Sequence, residues 1–198
     1  MKARVIAISG ESHEYQDFWS IDYRDGRLKV AVGDWAPNLL GELYEDPETA
    51  SALGLKDGTK FNGGVIGAAV AKQVIDSTEA VGYDLIVRIN QALAAKYEQL
   101  GIKDYKTNRA LTFTGYLAHA IVKPDGMVVT GIGDVRLAAD GRVVTGKTKL
   151  IDIQNSNLRK QYIERTGDIK GSFEHVRPFI VRQYQFQNTR GHKFSYPA

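Results

Sequence analysis

Apolar positions recur along this chain with two different periods, and the change of period divides it. Near the start they come in short alternating runs. Arg4–Ser9 reads as a first strand, and Phe18–Tyr23 and Leu28–Val32 flank Arg24-Asp25-Gly26-Arg27. Asp-Gly between two apolar runs predicts a β-hairpin, because both residues tolerate the positive φ of a tight two-residue turn. Residues 35–62 break the pattern with Pro37, Pro47 and glycines at 41, 54 and 58, and read as an irregular insertion with one helical turn near Glu48–Leu53. The spacing then lengthens. Val65, Ile66, Ala69, Val70, Val74 and Ile75 predict a helix over Gly64–Thr78, with Asn62-Gly63 placed to cap it. Leu85, Ile86, Ile89, Leu93 and Tyr97 predict a second over Tyr83–Leu100, stopped by Gly101.

Strands return at Ala110–Val122 and Met127–Leu137, around the turn Pro124-Asp125-Gly126. Ala139-Asp140-Gly141-Arg142 turns into Val143–Thr145, Leu158–Arg165 reads as a helix, and Phe179–Phe186 alternates like a strand. Clustered hairpins separated by a helix pair point to an α+β protein with antiparallel sheets, layered so that the helix pair covers one sheet face.

Composition narrows the chemistry. A length of 198 residues, 43% hydrophobic and 25% charged, describes one globular domain over 1–198. The absence of cysteine excludes a disulfide scaffold, a Cys-ligated zinc site and a thiol nucleophile. No apolar run approaches the roughly 20 residues that span a bilayer, and Val5–Ile8 is too short for a secretory core. The expectation is a soluble cytoplasmic protein without a membrane partner. The net charge of +3 is uneven: residues 1–141 carry −4 and residues 142–198 carry +7. A basic segment invites nucleic acid, but no RNP-type, zinc-finger or basic-zipper pattern accompanies it, so a solvated face is expected there.

Two acidic residues stand out. Asp17 opens the first strand of the hairpin and Asp34 closes the second, which puts them at one end of the ladder as near neighbours. Carboxylates so placed repel unless a cation lies between them, and hard oxygen donors suit Mg²⁺ or Mn²⁺. The alternative is that each Asp only begins or ends its strand. Asp134, in Gly131-Ile132-Gly133-Asp134-Val135-Arg136, interrupts an apolar strand, where Gly131 and Gly133 would let another backbone approach. The Gly-x-Gly piece is no dinucleotide fingerprint, since no third glycine or helix follows. Of His13, His119, His175 and His192, none pairs at metal-motif spacing; His119 reads as packed in its strand, while His13 shares a loop with Asp17. Asn62-Gly63-Gly64 reads as a helix cap, with phosphate binding as the sharper alternative.

Taken together these pieces resemble the PP2C family of metal-dependent Ser/Thr protein phosphatases, in its bacterial branch where a Ser-His pair replaces the phosphate-binding arginine. Gly10, Ser12-His13 and Gln16-Asp17 stand in the order of the family's opening motif. Val30-Ala31-Val32-Gly33-Asp34-Trp35 takes the place of its apolar strand ending in Asp-Gly. Gly63-Gly64-Val65-Ile66-Gly67-Ala68-Ala69 matches its glycine-led helix, and Gly133-Asp134-Val135-Arg136 through Asp140-Gly141-Arg142-Val143 looks like its Gly-Asp-Ser-Arg strand and turn. The resemblance is strongest over 4–146.

It implies an α-β-β-α sandwich of two antiparallel sheets, incomplete at the C-terminus if the late motifs are missing. It implies Asp17 and Asp34 as catalytic metal ligands, with the backbone carbonyl of Trp35 completing a site and Asp134 serving an accessory third ion. Ser12 and His13 would hold the substrate phosphate, and two or three Mg²⁺ or Mn²⁺ ions would activate water for attack on a phosphoprotein. Two departures stand beside it. Trp35 replaces the family's glycine, which would set a large side chain beside the metals. No Asp follows Asp168, and Asp152 and Asp168 lack the neighbours of the family's late carboxylate motifs. The expectation divides accordingly: a piece of a longer phosphatase, or a shortened homologue with a weakened centre, in the limit a catalytically silent module that binds a phosphorylated partner.

Overall fold

A computed structural model describes residues 15–38, 40–133, 135, 137–139, 142–143 and 150–184. Its centre is a four-stranded antiparallel sheet in the order β1-β2-β5-β6, built from β1 (Asp17–Arg24), β2 (Arg27–Ala36), β5 (Thr114–Lys123) and β6 (Gly126–Ile132). The β1–β2 hairpin turns at Asp25 and Gly26 with φ of 51° and 75°, the pair of positive angles that a type I′ turn requires. The insertion holds α1 (Pro47–Ala52) and a small sheet of β3 (Leu43–Glu45) with β4 (Lys60–Asn62). Strands of three residues are too short to show alternation, so the sequence pattern concealed them.

Helices α2 (Gly63–Ser77) and α3 (Gly82–Gln99) follow as expected. Asn62 caps α2 through its side-chain oxygen, which accepts from the N–H groups of Gly64 and Val65. That occupies the carboxamide in an ordinary N-cap. A 3₁₀ turn at Arg109–Leu111 takes the start of the stretch expected to be strand. A two-residue pairing, β7 (Ala138–Ala139) with β8 (Arg142–Val143), precedes α4 (Leu150–Thr166) and α5 (Gly171–Tyr184).

Helix α5 corrects the expectation of a strand at Phe179–Phe186, of which residues 185 and 186 lie outside the described residues. Ser172 and Val176 are buried and Ile180 is half-buried, a spacing of four that only a helix places on one side. The alternation beyond Pro178 reflected exposed side chains. The two last helices pack together through the stacked rings of Tyr162 and His175, with centroids 4.6 Å apart.

The helix pair α2 and α3 covers one face of the large sheet. Strand parity assigns the sides. Lys29 donates to the carbonyls of Ile75 and Thr78 at the C-terminal end of α2, so Lys29, Ala31, Gly33 and Trp35 face the helices. His119, in register with Ala31, shares that face. The opposite face carries Asp17, Trp19, Ile21 and Tyr23 of β1 with Val32 and Asp34 of β2. Trp19 and Tyr23 are 50% and 56% exposed. Among the described residues no helix packs on that side.

His119 is buried, and its Nδ1 has no hydrogen-bond partner. Burial disfavours its charged form and Lys29 adds repulsion, with Glu79 offsetting part of this; its pKa falls to about 4 from the usual 6.5. Between those two values the unfolded chain binds the proton more readily than the folded one. Stability is therefore whole above pH 6.5 and declines as pH falls toward 4, by up to about 3 kcal/mol. Urea unfolding at pH 7.5, 5.5 and 4.5 should show this fall, and His119→Gln should flatten it. A fall in His119→Gln as steep as in the parent would place its origin elsewhere.

Candidate metal centre

The register places Asp17 directly opposite Asp34. The neighbouring pair, Gln16 and Trp35, is joined by a hydrogen bond from the Trp35 N–H to the Gln16 carbonyl at 3.1 Å. Hydrogen-bonded and non-bonded pairs alternate along an antiparallel ladder, so Asp17 and Asp34 form a non-bonded pair, the closer of the two kinds, with Cβ atoms roughly 4.5–5.5 Å apart. Both side chains are exposed and project from the sheet face opposite the helices. Two carboxylates thus stand side by side at the open end of the hairpin, seventeen positions apart in the chain.

A shallow groove of about 590 Å³ runs from Asp17 along β1 to Arg24 and is bordered by Lys72 and Asp76 of α2. Its cations are already engaged. Arg24 Nε lies 3.0 Å from Asp22, and Lys72 pairs with Asp76 on the same helix. Partial burial works to raise the Asp76 pKa, but the hydrogen bonds from Lys72 and Ser20 outweigh it and hold the carboxyl below its ordinary value.

Trp35 departs from what the resemblance implied. It alternates with Asp34, so its indole enters the core on the sheet face opposite the two carboxylates. The ring lies over Gly115 and against Gly67 of α2, where an added Cβ would sit 2.0 Å and 2.2 Å from ring atoms. Phe18 packs on it with ring centroids 5.8 Å apart. The indole N–H, buried in this arrangement, has no hydrogen-bond partner. The Trp35 carbonyl oxygen faces the first turn of α2, where a Cβ on Gly64 would come within 2.8 Å. This close approach of backbone to backbone is the one that glycine makes room for. The approach expected at Gly133 is instead that of the Tyr116 ring, at a glycine with φ of 77°.

Ser12, His13 and Asp134 lie outside the described residues, as does the turn at Asp140 and Gly141. Asp168, which lacks the family's neighbours, accepts from the Gly171 N–H at 2.8 Å at the start of α5, a local capping role. Among the described residues no group of three or more His, Asp or Glu side chains converges. Asp17 and Asp34 are hard oxygen donors of the kind that suit a divalent cation, and with no third such group beside them among the described residues they would hold at most one. A second ion needs donors from beyond the described residues. No protein-family model matches the chain, and no curated protein matches it. None of the described helices is long and apolar enough to cross a membrane.

Proposed function

We propose that this chain is a PP2C-like phosphatase domain that hydrolyses phosphoserine or phosphothreonine esters with Mg²⁺ or Mn²⁺. One observation carries the reading: two carboxylates that the sequence motifs single out meet across the hairpin on an exposed surface. Asp17 and Asp34 would hold the ion, and the Trp35 carbonyl and Asp134 are the further donors the resemblance implies. Such an ion supplies Lewis-acid activation of water and neutralises charge on the phosphoryl group. The two carboxylates would hold it at the end of the β1–β2 ladder, on the sheet face opposite the helices. Ser12 and His13 would orient the substrate phosphate from the loop before β1. The exposed apolar face around Trp19, Ile21 and Tyr23 also supports the reading, because the second sheet of an α-β-β-α sandwich would lie over that face.

Hydrolysis of an aryl phosphate by the full chain with Mn²⁺ tests this. Asp34→Asn keeps the shape of the side chain and removes its charge, and should lower turnover at least about 100-fold, the scale on which one charge-stabilising group acts. Unchanged turnover in that variant would remove Asp34 from the centre.

The second reading is the silent module that binds a phosphorylated partner. It is favoured by the pair of carboxylates having no third acidic or histidine neighbour among the described residues. It predicts retention of a phosphopeptide without hydrolysis, and release of inorganic phosphate from the same peptide would exclude it.

A further inference from the structure

Strand β1 lies at the margin of the large sheet, with β2 on one side and, among the described residues, no strand on the other. Its backbone groups divide by parity. The bond from the Trp35 N–H to the Gln16 carbonyl, and the two-residue turn at Asp25 and Gly26, both make the even-numbered residues of β1 the ones bonded to β2. The N–H and C=O groups of Asp17, Trp19, Ile21 and Tyr23 therefore point away from the sheet. None of them has a backbone partner among the described residues. The strand runs from Asp17 to Arg24 without a bulge and holds neither proline nor lysine, three devices by which sheets keep an edge from pairing. Beside it lies the groove bordered by Lys72 and Asp76 of α2, about 590 Å³ of open space in which a further strand has room.

We infer that two copies of this chain pair through this edge, β1 against β1, antiparallel about a two-fold axis at Ser20. A strand added here must alternate, because β1 presents Trp19 and Ile21 to the open face and Ser20 and Asp22 to the side of α2. β1 itself has that alternation. Centring the pair on Ser20 sets each outward-bonding residue opposite another. Trp19 faces Ile21 of the second copy, and Asp17 faces its Tyr23. The outward N–H and C=O groups then all find partners, and Trp19 with Ile21 makes an apolar cross-strand pair. Shifting the register by two residues leaves Tyr23 or Asp17 beyond the end of the other strand. Lys72 and Asp76 neutralise each other beside the edge, so the second copy meets no net charge there. The contact is self-complementary, as a two-fold interface requires. A single strand pair is a small interface, which sets the dimer Kd at about 10–100 µM. The inference does not rest on the phosphatase reading, and the variants that test it leave Asp17 and Asp34 in place.

Sedimentation velocity of the full chain from about 5 to 300 µM should show a reversible monomer–dimer equilibrium. With Trp19→Lys and Ile21→Lys together, each lysine meets a lysine of the second copy, and association should weaken at least about 100-fold. Trp19→Glu with Ile21→Glu should fail alone in the same way, and an equimolar mixture of the two double variants should form the mixed dimer. Both positions are exposed, so each variant is expected to keep the circular dichroism of the parent. Val32→Lys, on the same face one strand inward, should leave association unchanged. In the parent, which needs no substitution, the amides of Trp19 and Ile21 should exchange more slowly as concentration rises. A parent that stays monomeric at about 300 µM, association that survives the lysine pair, or a mixture that stays monomeric would each overturn the assignment. So would a dimer lost in Val32→Lys, since the copies would then pack face to face. Protection of the two amides at every concentration would overturn it as well, because a segment of the same chain would already cover the edge.

Discussion

Trp35→Ala is expected to lower unfolding stability by about 3–5 kcal/mol, the range for emptying a large aromatic site. The indole is the keystone between the sheet and α2. It is 4% exposed, it packs on Phe18, and both glycines that face it are fitted to its ring. At this chain length each kcal/mol moves Tm by roughly 2–4 °C, so thermal unfolding should shift by about 10 °C. The same packing predicts a reciprocal effect. Gly115→Ala drives a methyl into the ring and should cost about 1–3 kcal/mol or more, but much less in a Trp35→Leu background, where the space exists. Additive costs in the double variant would mean that ring and glycine are not fitted to each other.

Lys96→Met is expected to cost about 3–5 kcal/mol as well, for an electrostatic reason. Lys96 sits on α3 with its Nζ 3.1 Å from Asp46 and 2.7 Å from Glu48, at the start of α1. The side chains of Lys96 and Asp46 are 6% and 1% exposed. Asp46 also accepts from the Thr49 hydroxyl at 2.6 Å. Removing the ammonium leaves a carboxylate out of water with one hydroxyl for company, and breaking a buried pair from one side is far more costly than the pair itself is worth. Glu48, which is exposed, should matter by less than about 1 kcal/mol when changed to Gln. A double-mutant cycle with Asp46→Asn in urea should recover most of the loss. A single-variant cost below about 1 kcal/mol would show that water reaches Asp46.

These two sites mark how far the sequence alone could be read. The hairpin at Asp25-Gly26 and both long helices were legible, since the positive-φ turn and the 3.6-residue period are local properties. The pairing of Asp17 with Asp34 was legible for the same reason, because a two-residue turn fixes the register of everything behind it. The side on which Trp35 falls followed from that register too, yet matching the motif by position set the indole beside the carboxylates. Parity along β2 was the signal that corrects it. Helix α5 was misread because exposed Phe179 and Val181 mimic alternation over a few residues. Lys96 with Asp46, and Lys29 against the end of α2, join residues some fifty positions apart. No local pattern encodes such pairs.

Whether Asp17 and Asp34 share a divalent cation is decided by calorimetric titration of the full chain with Mn²⁺. Saturable uptake of at least one ion per chain in the micromolar range is expected, abolished in Asp34→Asn while the circular dichroism of that variant stays that of the parent. Absence of binding in the parent, or binding that survives Asp34→Asn undiminished, would contradict a shared cation.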